Sequence, residues 1–136
     1  MRLCNDTITV VNAAYDNTLD IDVYNATILE GCSWFLRDNA AVDHSGLKNA
    51  STVVVRIPAD NPKAGQYVDP KTYAGLSDKS GHWTLAAGDA IVKAAVSASD
   101  LRPAVLAAVF PDVITVLSVT DNRRALNAPH WKVTGA

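Results

Sequence analysis

The chain of 136 residues has little of several things that would have named a chemistry. It has two cysteines, Cys4 and Cys32, far apart and outside any CxxC spacing, so neither a disulfide framework nor a thiolate metal site is expected. His44, His82 and His130 are tens of residues apart, with no HxH or HxxxH pair to hold a metal. No Walker loop and no GxGxxG turn appears, which removes the usual phosphate cradles. No apolar run approaches the roughly 18 residues of a membrane helix, and Met1-Arg2-Leu3-Cys4-Asn5 carries no apolar leader. A protein of the reducing cytoplasm at synthesis is expected, and the sequons at Asn5, Asn25 and Asn49 read as accidents of an Asn- and Thr-rich chain.

One acidic residue type is almost missing: there are 13 Asp and a single Glu, Glu30. Asp favours turns and caps, whereas Glu favours helix interiors. The 16 Val and 10 Thr suit pleated strands, so the composition points to a mainly β protein with many turns. With 49% hydrophobic and 19% charged residues, the chain can bury one core without staples, and nothing marks a linker or repeat. A net charge of −2 gives no general attraction to nucleic acid or acidic membranes.

The pattern along the chain predicts strands over Thr7–Tyr15 and around Ile21–Ile28, then over Cys32–Asp38 after a bend near Gly31. The stretch Asn39–Asn49 is small and polar and reads as a connection, and Ser51–Pro58 is the clearest strand. Residues 59–81 hold two prolines and three glycines, which predicts a long projecting arm whose contact residues would be Lys63, Gln66, Tyr67, Asp69, Lys71 and Tyr73. Short strands follow at His82–Leu85 and Ala90–Val96, around a turn at Ala86–Asp89. One helix is expected over Ser99–Phe110, capped by Ser99 or Asp100 and ended by Pro111. Strands at Val113–Thr120 and His130–Thr134 complete a small barrel or sandwich of about seven strands in a single domain.

Asp43-His44-Ser45 holds the residue types of a hydrolase triad, but adjacent residues in extended chain point in opposite directions, and a triad draws its members from distant segments. Trp34, Trp83 and Trp131 sit among apolar residues and read as packing aromatics rather than base-stacking platforms. In Asp121-Asn122-Arg123-Arg124, either Asp or Asn bonds its own backbone in a solvated turn, or the arginine forks pair with carboxylates of an adjoining subunit, with His130 nearby.

CNDTITVVNAAYD, SWFLRD, SGLK, VVVRIPAD, YVDPKTYA, WTLAAGDAIVKA and VLSVTDNRRALNAPHWKVTGA together resemble a structural family of tailed phages of Gram-positive bacteria, and more broadly head-closure (stopper) and head-completion proteins. The resemblance implies a non-enzymatic β-barrel that assembles into a ring in the virion neck, between portal or adaptor and tail proteins. It implies a loop that lines or closes a channel through which DNA passes without sequence-specific binding, and neither cofactor nor membrane contact. On it, the 59–81 arm would reach a neighbour or the channel, and Asp121–Arg124 would bind an adjacent subunit. The same fragments also fit a tail terminator, adaptor or minor capsid protein. The other classes are a small hydrolase using His44 and Ser45, and a nucleic-acid module using Arg123, Arg124 and the tryptophans.

Overall fold

A computed structural model describes residues 5–16, 21–43, 46–76, 79, 81–96 and 101–136, by backbone alone at 15–16, 21–22, 37–43 and 46–51. Six antiparallel strands, β1 (Asp6–Asp16), β2 (Ile21–Asp43), β3 (Gly46–Pro58), β4 (Ala90–Val92), β5 (Val113–Asn122) and β6 (His130–Gly135), close into a barrel in the order β1-β2-β3-β6-β5-β4. The mainly β fold expected from composition is therefore what forms, and of the barrel or sandwich of about seven strands it is a barrel of six. Closure follows from two strands that change partners. β2 pairs with β1 up to Cys32 and with β3 from Ser33, and Gly31, at φ 72°, supplies the left-handed bend where the partner changes. β5 pairs with β4 over 113–115 and with β6 from Val116, past a bulge before Ser118. The two strands expected on either side of Gly31 are thus one.

Alternation along β1 shows how the layers divide. Ile8 and Val10 point into the barrel with Leu29, Val55, Ile57, Trp83, Ile91, Trp131 and Val133. Val11 points outward with Ala90 and Val92, against Val96 and the helix α2 (Pro103–Val109), whose Leu106 is buried there. The three residues of β4 are buried on both faces, which fits a strand between barrel interior and covering helix. Packing is tight where β6 ends: a Cβ on Gly135 would stand 2.6 Å from the carbonyl oxygen of Thr115 and 2.7 Å from Ile114 Cδ1, so only glycine fits.

Several expectations are corrected. The helix begins at Pro103, with Arg102 as its cap at φ −60° and ψ 134°; the proline ring pushes its predecessor out of the helical region, and Pro111 does the same to Phe110 at the other end. Ser99 and Asp100 lie outside the described residues. The strand expected over Ala90–Val96 stops at Val92, because the buried Thr9 hydroxyl donates to the Ala94 carbonyl (2.6 Å) and accepts from the Val96 amide (3.0 Å), holding that chain in a bend. His82–Leu85 contributes a single parallel bridge, Trp83 to Tyr67, rather than a strand.

The 59–81 segment does not project as a whole. It folds back over the barrel through a 3-10 turn (Ala64–Gln66) and the helix α1 (Pro70–Ala74), which starts at an Asp69 cap accepting from the Thr72 amide at 3.2 Å. Buried Asn61 and Tyr73, with Ala64 and Tyr67 packed on the core, hold it down. The element that does extend is the β2–β3 hairpin, whose outer residues 39–43 and 46–49 belong to the stretch read as a polar connection. Its ladder runs from Ser33↔Arg56 to Asp43↔Gly46, whereas β3 meets β6 only over 53–58 and β2 leaves β1 at Cys32. Residues 37–43 and 46–52 therefore pair with each other and with no third strand among the described residues. At the usual rise this ribbon reaches about 20 Å past the barrel.

Candidate functional site

Three places in this framework gather chemistry: an aromatic mouth, a polar cleft and the ribbon. At the mouth, the rings of Tyr67, Trp83 and Trp131 meet pairwise at 4.8–5.2 Å. Trp131 is placed by β6, opposite Ile57, and Trp83 is locked by its indole N–H donating to the Lys63 carbonyl at 2.8 Å. Tyr67 closes over them from the 3-10 turn. These tryptophans are core residues, as their apolar neighbours implied.

Two groups of expected residues meet here. The Arg123 guanidinium lies 5.1 Å from the Tyr67 ring centre and 4.9 Å from that of Trp131. Its Nη2 donates to Asp121 Oδ2 at 2.6 Å, its Nε to both carboxylate oxygens at 2.9 and 3.0 Å, and its backbone N–H to Asp121 Oδ1 at 3.0 Å. The Arg123 hydrogen bond holds the Asp121 carboxyl below its ordinary range and pushes Arg123 up. Burial pushes the Tyr67 phenol up, with Arg123 opposing. One side of the Arg123 fork is thus paired within the chain: Asp121 bonds its own turn, and the arginine caps the mouth. Asn122 faces His130 across the β5–β6 pair at 3.4 Å, His130 also meets the Ala128 carbonyl at 2.8 Å, and Arg124 is exposed.

The remaining arm residues scatter. Lys63 donates to the Ile28 carbonyl at 2.7 Å beside a hollow of about 230 Å³, Gln66 and Lys71 are exposed, and Asp69 caps α1, its carboxyl held low by the Thr72 side chain. Tyr73 instead faces a cleft of about 340 Å³ lined by Ala13, Thr84 and Asp89, with Lys79 also on its wall. His44 and Ser45 lie outside the described residues.

The cleft is built by residues that the strand pattern did not single out. Asn12 and Asn25 stand directly opposite each other on β1 and β2. The Asn12 amide donates to the Thr84 carbonyl (2.7 Å) and to Asp89 Oδ2 (2.9 Å), and its oxygen accepts from the Thr84 N–H (3.2 Å). It does for residue 84 what a paired strand would, which is why 82–85 lies beside the barrel without joining it. Asn25 donates to the carbonyls of Lys79 and His82 at 3.1 and 2.9 Å. Asp89, 6% exposed, accepts from the Ala13 N–H at 3.2 Å, and burial pushes its carboxyl up against those hydrogen bonds. The signal in the sequence was an Asn and an Asp at positions that alternation and the turn before β4 force inward.

Among the described residues no group of three or more His, Cys, Asp or Glu side chains could hold a metal, and no helix is long and apolar enough to cross a membrane. No curated protein and no solved structure matches the chain. Residues 3–136, almost the whole chain, fit one family: the chain belongs to the Family of unknown function (DUF6751).

Proposed function

We propose that the protein is a structural component of a tailed-phage neck: a ring-forming head-closure or connector protein that joins portal or adaptor to tail and retains or conducts DNA. The sequence segments that resemble head-closure proteins support this reading, as does a closed barrel of the expected class. The observation that carries it is the β2–β3 ribbon. A two-stranded hairpin is marginal in water by itself, and among the described residues no strand pairs with either of its outer edges. Phe35 and Leu36 at its root are more than half exposed, and Leu117 at the β5 bulge is exposed as well. Such a ribbon gains hydrogen bonds by setting its β2 edge against the β3 edge of the ribbon of the next copy, and a head-to-tail contact of that kind closes into a ring where the rotation between copies allows it. Tail-terminator or minor-capsid service would use the same contact at another level of the virion.

The test is to replace residues 39–50 by a two-residue Asn-Gly turn and to measure mass by sedimentation velocity, alone and with purified portal assemblies. Wild type is expected to form closed oligomers or to decorate the portal, and the shortened variant to remain a folded monomer. Equal assembly by both would remove the ribbon from the account, and a wild type that never engages portal or adaptor would remove the neck.

A further inference from the structure

We infer that the cleft bounded by Asp89, Tyr73 and Thr84 is a binding site for a primary ammonium group, carried either by a small amine or by a lysine side chain. The volume, about 340 Å³, is that of a small-ligand pocket, and Ala13, Ala14, Ala74 and Ala86 give it apolar walls. Its polar groups are almost all acceptors with unused capacity. The Asp89 carboxylate receives neutral donors, Asn12 Nδ2 and the Ala13 N–H with the Ala86 N–H beside them, and no cation lies within ion-pair distance among the described residues. A buried carboxylate without a counter-charge is costly, and each oxygen can still accept.

Tyr73 and Thr84 are 3% and 2% exposed, and both hydroxyls are buried without a hydrogen-bond partner. Asn25 comes near the Tyr73 hydroxyl, but its N–H groups are committed to the carbonyls of Lys79 and His82; the Tyr67 phenol stands close to the Thr84 hydroxyl, which still offers a ligand its remaining lone pair. An alkylammonium has three donors and no acceptor, which matches one carboxylate and two hydroxyls. A carboxylate or phosphate would meet Asp89 with like charge.

Lys79, on the same wall, does not fill this role. Its ammonium donates to the Leu76 carbonyl at 2.8 Å, stands 5.7 Å from the Tyr73 ring centre and forms no ion pair with Asp89. It leaves the acceptors unused while showing that one face of the Tyr73 ring already stands beside a cation.

The test is an NMR titration of the full chain with ethylammonium chloride at constant ionic strength. It follows the Ala13 and Thr84 amides and the Asp89 carboxyl carbon, with tetramethylammonium as the control that lacks donors. Saturable shifts are expected with ethylammonium and not with the control, weakened about tenfold in Asp89→Asn and about threefold in Tyr73→Phe. Tyr73→Phe removes an unpartnered hydroxyl and keeps the melting temperature, so its effect reads the site rather than the fold. Sedimentation separates the sources: if the lysine of a second copy is the occupant, ethylammonium dissociates oligomers, and if a free amine is, it leaves them intact. Absence of saturation up to about 0.1 M, equal shifts with tetramethylammonium, or unchanged affinity in both variants would overturn the assignment. The titration and its variants do not depend on a neck role; only the sedimentation arm uses the oligomers proposed above.

Discussion

The barrel and the ribbon are built from the same two strands, yet they obey different rules. Inside the barrel, β2 passes from β1 to β3 at Gly31, β3 lies between β2 and β6 over 53–56, and Val55 and Ile57 are buried against Trp131 and Val133. Beyond Val53 and Leu36 the strands continue in register with only each other. Burial makes the first region self-sufficient, whereas the second has a ladder and two open edges and depends on what it meets. The polar clamps mark the border: Thr9 and Asn12 on β1 tie irregular chain to the barrel, so the cleft belongs to the body and the ribbon does not.

The comparison breaks most readily at the core. Trp131→Ala removes the ring shared by the barrel interior and the mouth and is expected to cost about 3–5 kcal/mol in urea unfolding; a loss below about 1 kcal/mol would deny the mouth its structural part. Asn12→Ala strands the Thr84 N–H and C=O and takes one donor from Asp89, for an expected loss of about 2–4 kcal/mol. Amide exchange should rise first at 82–89 in that variant, and uniform exchange would count against a local clamp.

A smaller effect separates the two acids. Asp89 has its folded-state carboxyl raised above the ordinary 3.8 by burial, so its contribution is full below that value and is lost as pH rises through the raised one. Asp121, lowered by Arg123, contributes above 3.8 and loses that contribution as pH falls through its depressed value. In an Asp121→Asn background, chemical stability should therefore rise from neutral pH toward about pH 4, and adding Asp89→Asn should flatten the curve. A curve unchanged by Asp89→Asn would refute the buried, uncompensated carboxylate. Arg123→Ala comes last: its ion pair with Asp121 is 45% exposed on both sides, so the pair and the ring contacts together should contribute no more than about 1 kcal/mol, read as a small fall in melting temperature.

Much of the barrel was readable from alternation. The strands at Thr7–Tyr15, Val113–Thr120 and His130–Thr134 recur within a few residues of their expected bounds, because alternating apolar residues leave one inward face, and Ser51–Pro58, an apolar run ended by proline, recurs as the barrel end of β3. The ribbon was not readable, since Asn39–Asn49 lacks β-branched pattern and its pairing is set by the register inherited from Phe35↔Val54. The 59–81 segment misled for the opposite reason: proline and glycine signalled a loop, while Asp69-Pro70, a capped helix start, was passed over. Of the expected contact residues, Tyr67, Asp121 and Arg123 converge at the mouth and Tyr73 reaches the cleft. Asn12, Thr9 and Asp89 were missed, because a polar residue inside an alternating strand becomes informative only once the buried face is known.

The distinction between body and ribbon is tested most directly by hydrogen exchange of amides 39–43 and 46–50, in dilute monomer and in the assembled state. The account predicts monomer exchange at least about a hundredfold faster than at Val10, Val55 and Val133, with strong slowing on assembly. Ribbon amides as protected as the barrel in dilute monomer, or unchanged by assembly, would contradict it.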